Sequence, residues 1–343
     1  MTSEALRITD PTHAAAPSFL ARLGEALIHD QRDFPFITTM FTTSLVLMPF
    51  ALFLFWPGNF QWWIGAIYLA LAFAIFIPPC ILMLHNTSHR PLFKGAFRFM
   101  NGYVPRVLSP FFGQTPDTYF CHHLGMHHPE NNLKDDLSST MKYERDNALH
   151  FLHYFGVFFF TGMVALPRYL WRKGRKRLAM RAVVGELTGY AVMGLLLYIN
   201  WRAAVVVFVI PFAMVRFLMM CGNWGQHAFI DAARPENPYV NSITCINVSY
   251  NRRCFNDGYH IGHHVKANRH WTEMPGDFEA NIARYHQEGA VVFAGIDFFI
   301  VWALLMMRNY KALAHFYVSL DGSPKDKDAI IAKLRERTRP IAT

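Results

Sequence analysis

Histidine is the residue type this chain places with most order. His85 and His89 stand in HNTSHRP, and His122, His123, His127 and His128 in HHLGMHHPENN. Asn223 and His227 stand in NWGQHAF, and His260, His263 and His264 in GYHIGHH. On a helix, side chains three or four residues apart share a face with Cβ atoms about 5–6 Å apart. Two imidazoles so placed can hold one ion. His85/His89, His123/His127, Asn223/His227 and His260/His263/His264 all keep that spacing, while His128 is turned by one residue and could reach a neighbouring ion. His122 or His123 could open the second box, and the helical register with His127 favours His123. The nine histidines His85, His89, His123, His127, His128, His227, His260, His263 and His264 exceed the roughly four to six ligands of one ion and suit two. Imidazole suits iron, zinc, copper or nickel, so residue type leaves the metal open. His150, His153 and His270 lie outside the pattern and read either as partners of the ligating residues or as structural.

Long apolar segments must position these boxes. Hydrophobic residues make up 52% of the chain and charged residues only 17%, where a soluble chain carries about 25% charged residues. Disordered, collagenous and disulfide-built proteins are excluded, and lipid is expected to cover part of the surface. Residues 36–56 and 62–84 carry no charge, and each is long enough to cross about 30 Å of hydrocarbon. The short turn PGNFQ closes them into a hairpin. A second hairpin is expected at 183–200 and 203–221, interrupted only by Glu186 and Arg216 and turning at Asn200 to Arg202. The fold class expected is all-α: a polytopic membrane protein with about four transmembrane helices in two hairpins and a cytoplasmic helical cap holding the metals.

Between Asn86 and Ala182 lie 14 of the 33 Lys and Arg, whereas the hairpin turns hold only Arg202. The positive-inside rule therefore puts the boxes in the cytoplasm. The segment 151–166, short and containing His153, is expected in the interface or under the cap, because a lone crossing there would split the boxes between two compartments. Residues 289–307, with Asp297, carry no comparable constraint. Residues 1–35 are polar, with Asp10, Arg22, Asp30, Arg32 and Asp33, and lack a secretory-signal core. The division expected is a cytoplasmic N-terminal segment 1–35, a membrane domain 36–310 and a cytoplasmic tail 311–343. Five cysteines (Cys80, Cys121, Cys221, Cys245, Cys254) form no CxxC pair and read as reduced thiols.

At these boxes the sequence resembles the membrane fatty acid desaturase and hydroxylase superfamily. HxxxH after a first hairpin, HxxxHH about 35 residues on, a second hairpin and then HxxHH is that order, over about residues 36–275. GYHIGHH preceded by Asp257 and Gly258 is similar to the last box of acyl-CoA desaturases. NWGQH is similar to their NxxxH element, in which Asn223 would reach a metal through water. The resemblance implies two iron ions, dioxygen as co-substrate and a long-chain fatty acyl substrate, with no catalytic residue beyond the metal centre. No HPGG-type haem segment is present, so electrons would come from a separate donor of ferredoxin, rubredoxin or cytochrome b5 type. The first box has three intervening residues where animal acyl-CoA desaturases have four, and the second is HxxxHH where theirs is HxxHH. NWGQHAF is also similar to the NYxEHYG element of alkane hydroxylases. Desaturation is the reading taken, and fatty acid or alkane hydroxylation and oxidative decarboxylation to a terminal alkene remain open on the same scaffold.

Carboxylates or amides should fix the histidine tautomers. Asp135, Asp136 and Asp257 are the chosen candidates, with Glu130, Asn131, Asn132, Asp117 and Asp231 beside them. The basic run Arg172, Lys173, Arg175, Lys176 and Arg177 follows the positive-inside rule and could also meet membrane lipid or an acidic electron carrier. Nucleic acid is not an expected partner despite a pI near 9.4, since no recognition module accompanies the charge. A metal transporter or sensor is the rival from another class. Transport would need polar residues lining a path through the spans, and the first two have no charge. The location expected is a bacterial inner membrane with the site facing the cytoplasm.

Overall fold

The computed structural model describes residues 6–13 and 24–342. Arg22 and the rest of residues 1–5 and 14–23 of the expected N-terminal segment lie outside the described residues. Helix α1 spans Gln31–Phe55 and α2 Trp62–His89. The run α3 comprises Thr118–His122, His123–His127 and His128–Glu130 in succession. Helix α4 spans Ala148–Arg172 and α5 Lys176–Gln226. Strand β1 (Ile243–Ile246) precedes α6 (His260–Val265) and pairs in parallel with β2 (Val291–Ala294), and α7 (Phe298–Met306), α8 (Tyr310–Phe316) and α9 (Lys327–Glu336) close the chain. Helices dominate, and α1, α2, α4 and α5 are each long and apolar enough to cross a membrane.

Among the described residues, five helical segments widen to π geometry: Thr43–Leu47, Ala72–Phe76, Val104–Leu108, His123–His127 and Val205–Val209. Each is followed, two residues on, by a proline: Pro49, Pro78, Pro110, Pro129 and Pro211. Proline lacks an N–H, and its ring collides with the carbonyl four residues back. A wider turn moves that carbonyl aside, and the residue before the proline then donates five residues back. Met48 N–H reaches Thr43 O, Ile77 reaches Ala72, Ser109 reaches Val104 and Ile210 reaches Val205.

The chain divides into two compact units, one of residues 1–12, 126–162 and 218–343, the other of residues 13–125 and 163–217. The second holds both hairpins. Phe50 meets Tyr68 edge-on at 5.5 Å between ring centroids, and Thr43 Oγ1 lies 3.2 Å from Cys80 Sγ, so α1 and α2 run back along one another. Helix α5 is itself a hairpin. Glu186 and Arg216 would stand about 45 Å apart on a straight helix, yet Arg216 Nη2 is 3.3 Å from Glu186 Oε1. The reversal falls at Asn200 (φ −152°, ψ 89°), whose Oδ1 accepts from Ala203 N–H and caps the second limb. Gly189 allows the first limb to pass Thr115, whose hydroxyl donates to Glu186 Oε1 at 2.7 Å, so the interrupting charges of this hairpin are paired. Trp62 and Trp201 lie 6.0 Å apart, which brings both hairpin turns to one end, where Trp56, Trp63 and Tyr198 are also exposed. Tryptophan and tyrosine in that position fit a membrane–water interface.

The first unit builds a core from Phe229, Val291, Phe293, Phe298, Leu305, Leu313, Ile330 and Leu334. The stretch 289–307 is therefore strand β2 followed by the nine-residue α7, too short to cross a membrane. Asp297 caps α7, accepting from Phe299 and Ile300 N–H at 3.0 Å each. Residues 311–343, expected as a tail, contribute to this core. Arg145, fully buried, donates to the carbonyls of Ala228, Arg337 and Arg339 and so ties the C-terminal residues down. The segment 151–166 is also longer than expected, lying inside the 25-residue α4.

Tags inserted at Asn59 and at Asn200 are expected to be accessible from the same side of the membrane, and tags at Asp135 and Gly276 from the other side. Labelling of the two turns from opposite sides would overturn the hairpin assignment.

Candidate metal centre

In the second unit, His85 and His89 occupy the last turn of α2, which stops before Pro91 because the residue ahead of a proline leaves the α region. His123 belongs to α3. The ligand nitrogens of these three lie within 4.8 Å of one another. His89 Nε2 is 2.9 Å from His123 Nε2, and the His85 and His123 rings are 4.5 Å apart. Tyr119 stacks on His123 at 5.2 Å, one turn back on the same helix.

In the first unit, the ligand nitrogens of His127, His227, His260 and His264 converge within 4.8 Å. His260 Nε2 lies 3.3 Å from His227 Nε2 and 3.0 Å from His264 Nε2. The tautomers follow from their partners. His127 Nδ1 is 2.8 Å from Asp136 Oδ2, a carboxylate already accepting from Asn132 N–H, Ser138 N–H and the Ser138 hydroxyl. A carboxylate so placed takes the Nδ1 proton. His227 Nδ1 donates to Asn241, 2.9 Å from its carbonyl oxygen. Both rings therefore aim an Nε2 lone pair inward. Burial and the neighbouring His127 push the His227 pKa down to about 4, and desolvation with the His260 and His227 imidazoles holds His264 well below the usual range. Both shifts favour the neutral ring, which keeps a lone pair for a metal. Several lone pairs converging at such distances repel unless a cation sits among them, and imidazole nitrogen is a donor for a transition metal. The donor set fits a metal ion.

The i, i+4 spacing of His123 and His127 does not place their ring nitrogens together: His123 gathers with His85 and His89, and His127 with His227, His260 and His264. His128 and His263 form a further pair in the first unit, Nε2 to Nε2 at 2.9 Å. Asn223 Nδ2 donates to the Tyr154 hydroxyl at 2.6 Å and to the Ser138 carbonyl at 3.0 Å. Of the carboxylates, Asp136 touches a histidine. Asp135 is exposed, and Asp257 accepts from the Tyr250 hydroxyl at 2.7 Å, with burial raising its pKa to about 6 against that bond. Asp117 pairs with Arg106 and Arg181, and Asp231 with Arg234 and Arg337. His150 accepts from Glu144 N–H and His270 from Thr272 N–H, the structural one of the two uses expected of them.

Three supports carried no signal in the sequence. Asn241 Oδ1 accepts from Asn132 Nδ2 while its backbone carbonyl holds His227. The Thr140 hydroxyl donates to the His227 carbonyl at 2.8 Å. Asp10 Oδ2 accepts from the Tyr259 hydroxyl and Asn247 N–H, both at 2.7 Å, and so braces the residue before His260.

Apolar hairpins together with buried, tautomer-fixed imidazole sets define an integral membrane protein equipped to bind transition metal. The fatty acid desaturase family matches residues 60–295, more than half of the chain, and the chain belongs to that family. No curated protein and no solved structure is similar enough to the chain to count as a match.

Asp136→Ala is expected to weaken metal binding by roughly 10–100-fold, the usual cost of losing a partner of a ligating histidine, with helix content unchanged. Unaltered affinity in a metal titration would contradict the role of the carboxylate.

Proposed function

We propose that the protein desaturates a long-chain fatty acyl substrate with a histidine-held pair of iron ions, dioxygen and electrons from a separate donor of ferredoxin, rubredoxin or cytochrome b5 type. The observation that carries this is the fixing of His127 and His227 through Nδ1, which leaves their Nε2 atoms converging with those of His260 and His264. His85, His89 and His123 would hold one ion and His127, His227, His260 and His264 the other, with His128 and His263 as further donors and Asn223 as a contact through water. His123 and His127 are four residues apart on one helical run, about one turn, which supports two neighbouring ions.

A pair of reduced irons with dioxygen supplies the power to take hydrogen from an unactivated methylene, which no side chain has alone. The chain's own residues orient and shield. Asp136 and Asn241 hold their imidazoles in one tautomer, so the lone pairs need no reorganisation. Phe298, 5.9 Å from the His260 ring, presents an apolar wall beside the donors, and an apolar wall keeps water from a reactive centre.

The family match supports chemistry of the fatty acid desaturase and hydroxylase type, and within that type desaturation is the reading proposed. The charge distribution supports a cytoplasmic face for the site; the membrane proposed is a bacterial inner membrane. Both ends of α4 contact box-bearing segments: the Tyr154 hydroxyl accepts from the Asn223 side-chain amide, and Arg175, just past the helix, donates to the Gly125 carbonyl. That supports α4 lying along the membrane face.

His263→Ala is expected to abolish turnover while the protein stays in the membrane. Mass spectrometry of lipids from cells with and without the chain should then show a double bond made only by the unaltered protein. A new hydroxyl or a terminal alkene would select the other readings, and full turnover by His263→Ala would overturn the site.

A further inference from the structure

We propose that Pro129 is a positioning residue that, with Arg175, divides the second histidine box between two ions; this rests on the two-ion reading above. On an α-helix, four residues overshoot one full turn by about 40°, so His127 would sit to one side of His123 about the axis. A π turn takes more residues, so the same four fall short of a full turn and His127 is swung to the other side of His123. Residues His123–His127 form such a turn, and the two imidazoles gather with different sets.

The cause lies in the residue two positions beyond. Every other π segment among the described residues also ends two residues before a proline, while Pro167 inside α4 has no wide turn ahead of it, so a proline permits the wide turn and its surroundings must hold it open. Pro129 deprives one carbonyl of its α-helical donor, that of Gly125, four residues back. The Gly125 carbonyl accepts a hydrogen bond from Arg175 Nη1. Gly125 also lets the helix come close, since a Cβ there would stand 3.0 Å from Leu170 Cδ2 and 3.2 Å from Leu178 Cδ1. Among the five basic residues from Arg172 to Arg177, Arg175 thus has a specific duty: it satisfies the carbonyl that the proline frees and holds the turn open. A buried carbonyl left without a donor is costly, so the two residues reinforce one another.

The test loads purified, monodisperse full-length protein with ferrous iron under anaerobic conditions and reads iron per chain together with the Mössbauer spectrum. The unaltered protein should hold two irons, Pro129→Ala should fall toward one with loss of one spectral component, and Pro110→Ala, at a π turn without histidines, should keep two. Arg175→Met should lose iron in the same direction, and Arg175→Lys, which can still donate to Gly125 O, should restore it. If Pro129→Ala cannot be purified, the Arg175 pair decides. Two irons and an unchanged spectrum in Pro129→Ala, or in Arg175→Met, would overturn the proposal while leaving the two-ion reading intact. Fewer than two irons in the unaltered protein would overturn that reading itself.

Discussion

The structure depends on how a buried imidazole is aimed. A histidine has two nitrogens, and a metal needs the lone pair of one, so the other must be occupied by an acceptor that keeps its proton. Asp136 does this for His127 and the Asn241 carbonyl does it for His227. Each acceptor is itself held. Asn132 donates to both Asp136 and Asn241, and Thr140 binds the backbone of His227 and takes a hydrogen bond from Asn132. This polar network is almost fully buried, which is tolerable only because its members satisfy one another.

The membrane imposes the complementary constraint. In hydrocarbon each backbone polar group must find an internal partner, and prolines inside the spans would break that condition. The chain answers with wide turns ahead of Pro49, Pro78 and Pro211, where the residue before the proline bonds five positions back. Asn200 solves the related problem at the reversal of α5 by capping the returning limb with its own side chain. Glu186 and Arg216, the two charges that interrupt this hairpin, are used against each other.

Much of this was legible in the sequence because it is periodic or local. The two hairpins follow from long apolar runs, broken in the second only by Glu186 and Arg216, and the turn at Asn200 from the polar residues between two such runs. The boxes follow from histidine spacing. The pairing of His123 with His127 did not, because the spacing rule assumes α geometry and Pro129 lies outside the box it alters. Asn241 lies 14 residues past His227, and Asp10 about 250 residues before Tyr259; neither separation has a period to betray it. Asp297, which made 289–307 ambiguous as a span, is a helix cap, a role that becomes clear only once β2 is seen to end ahead of it.

The central claim is that imidazole nitrogen from these two histidine sets surrounds a pair of neighbouring irons. X-ray absorption at the iron edge of the intact protein tests it most directly. The account predicts a nitrogen-rich shell with the multiple scattering typical of imidazole and a second iron as a neighbour. A sulfur-containing shell, or a spectrum free of imidazole scattering, would contradict it.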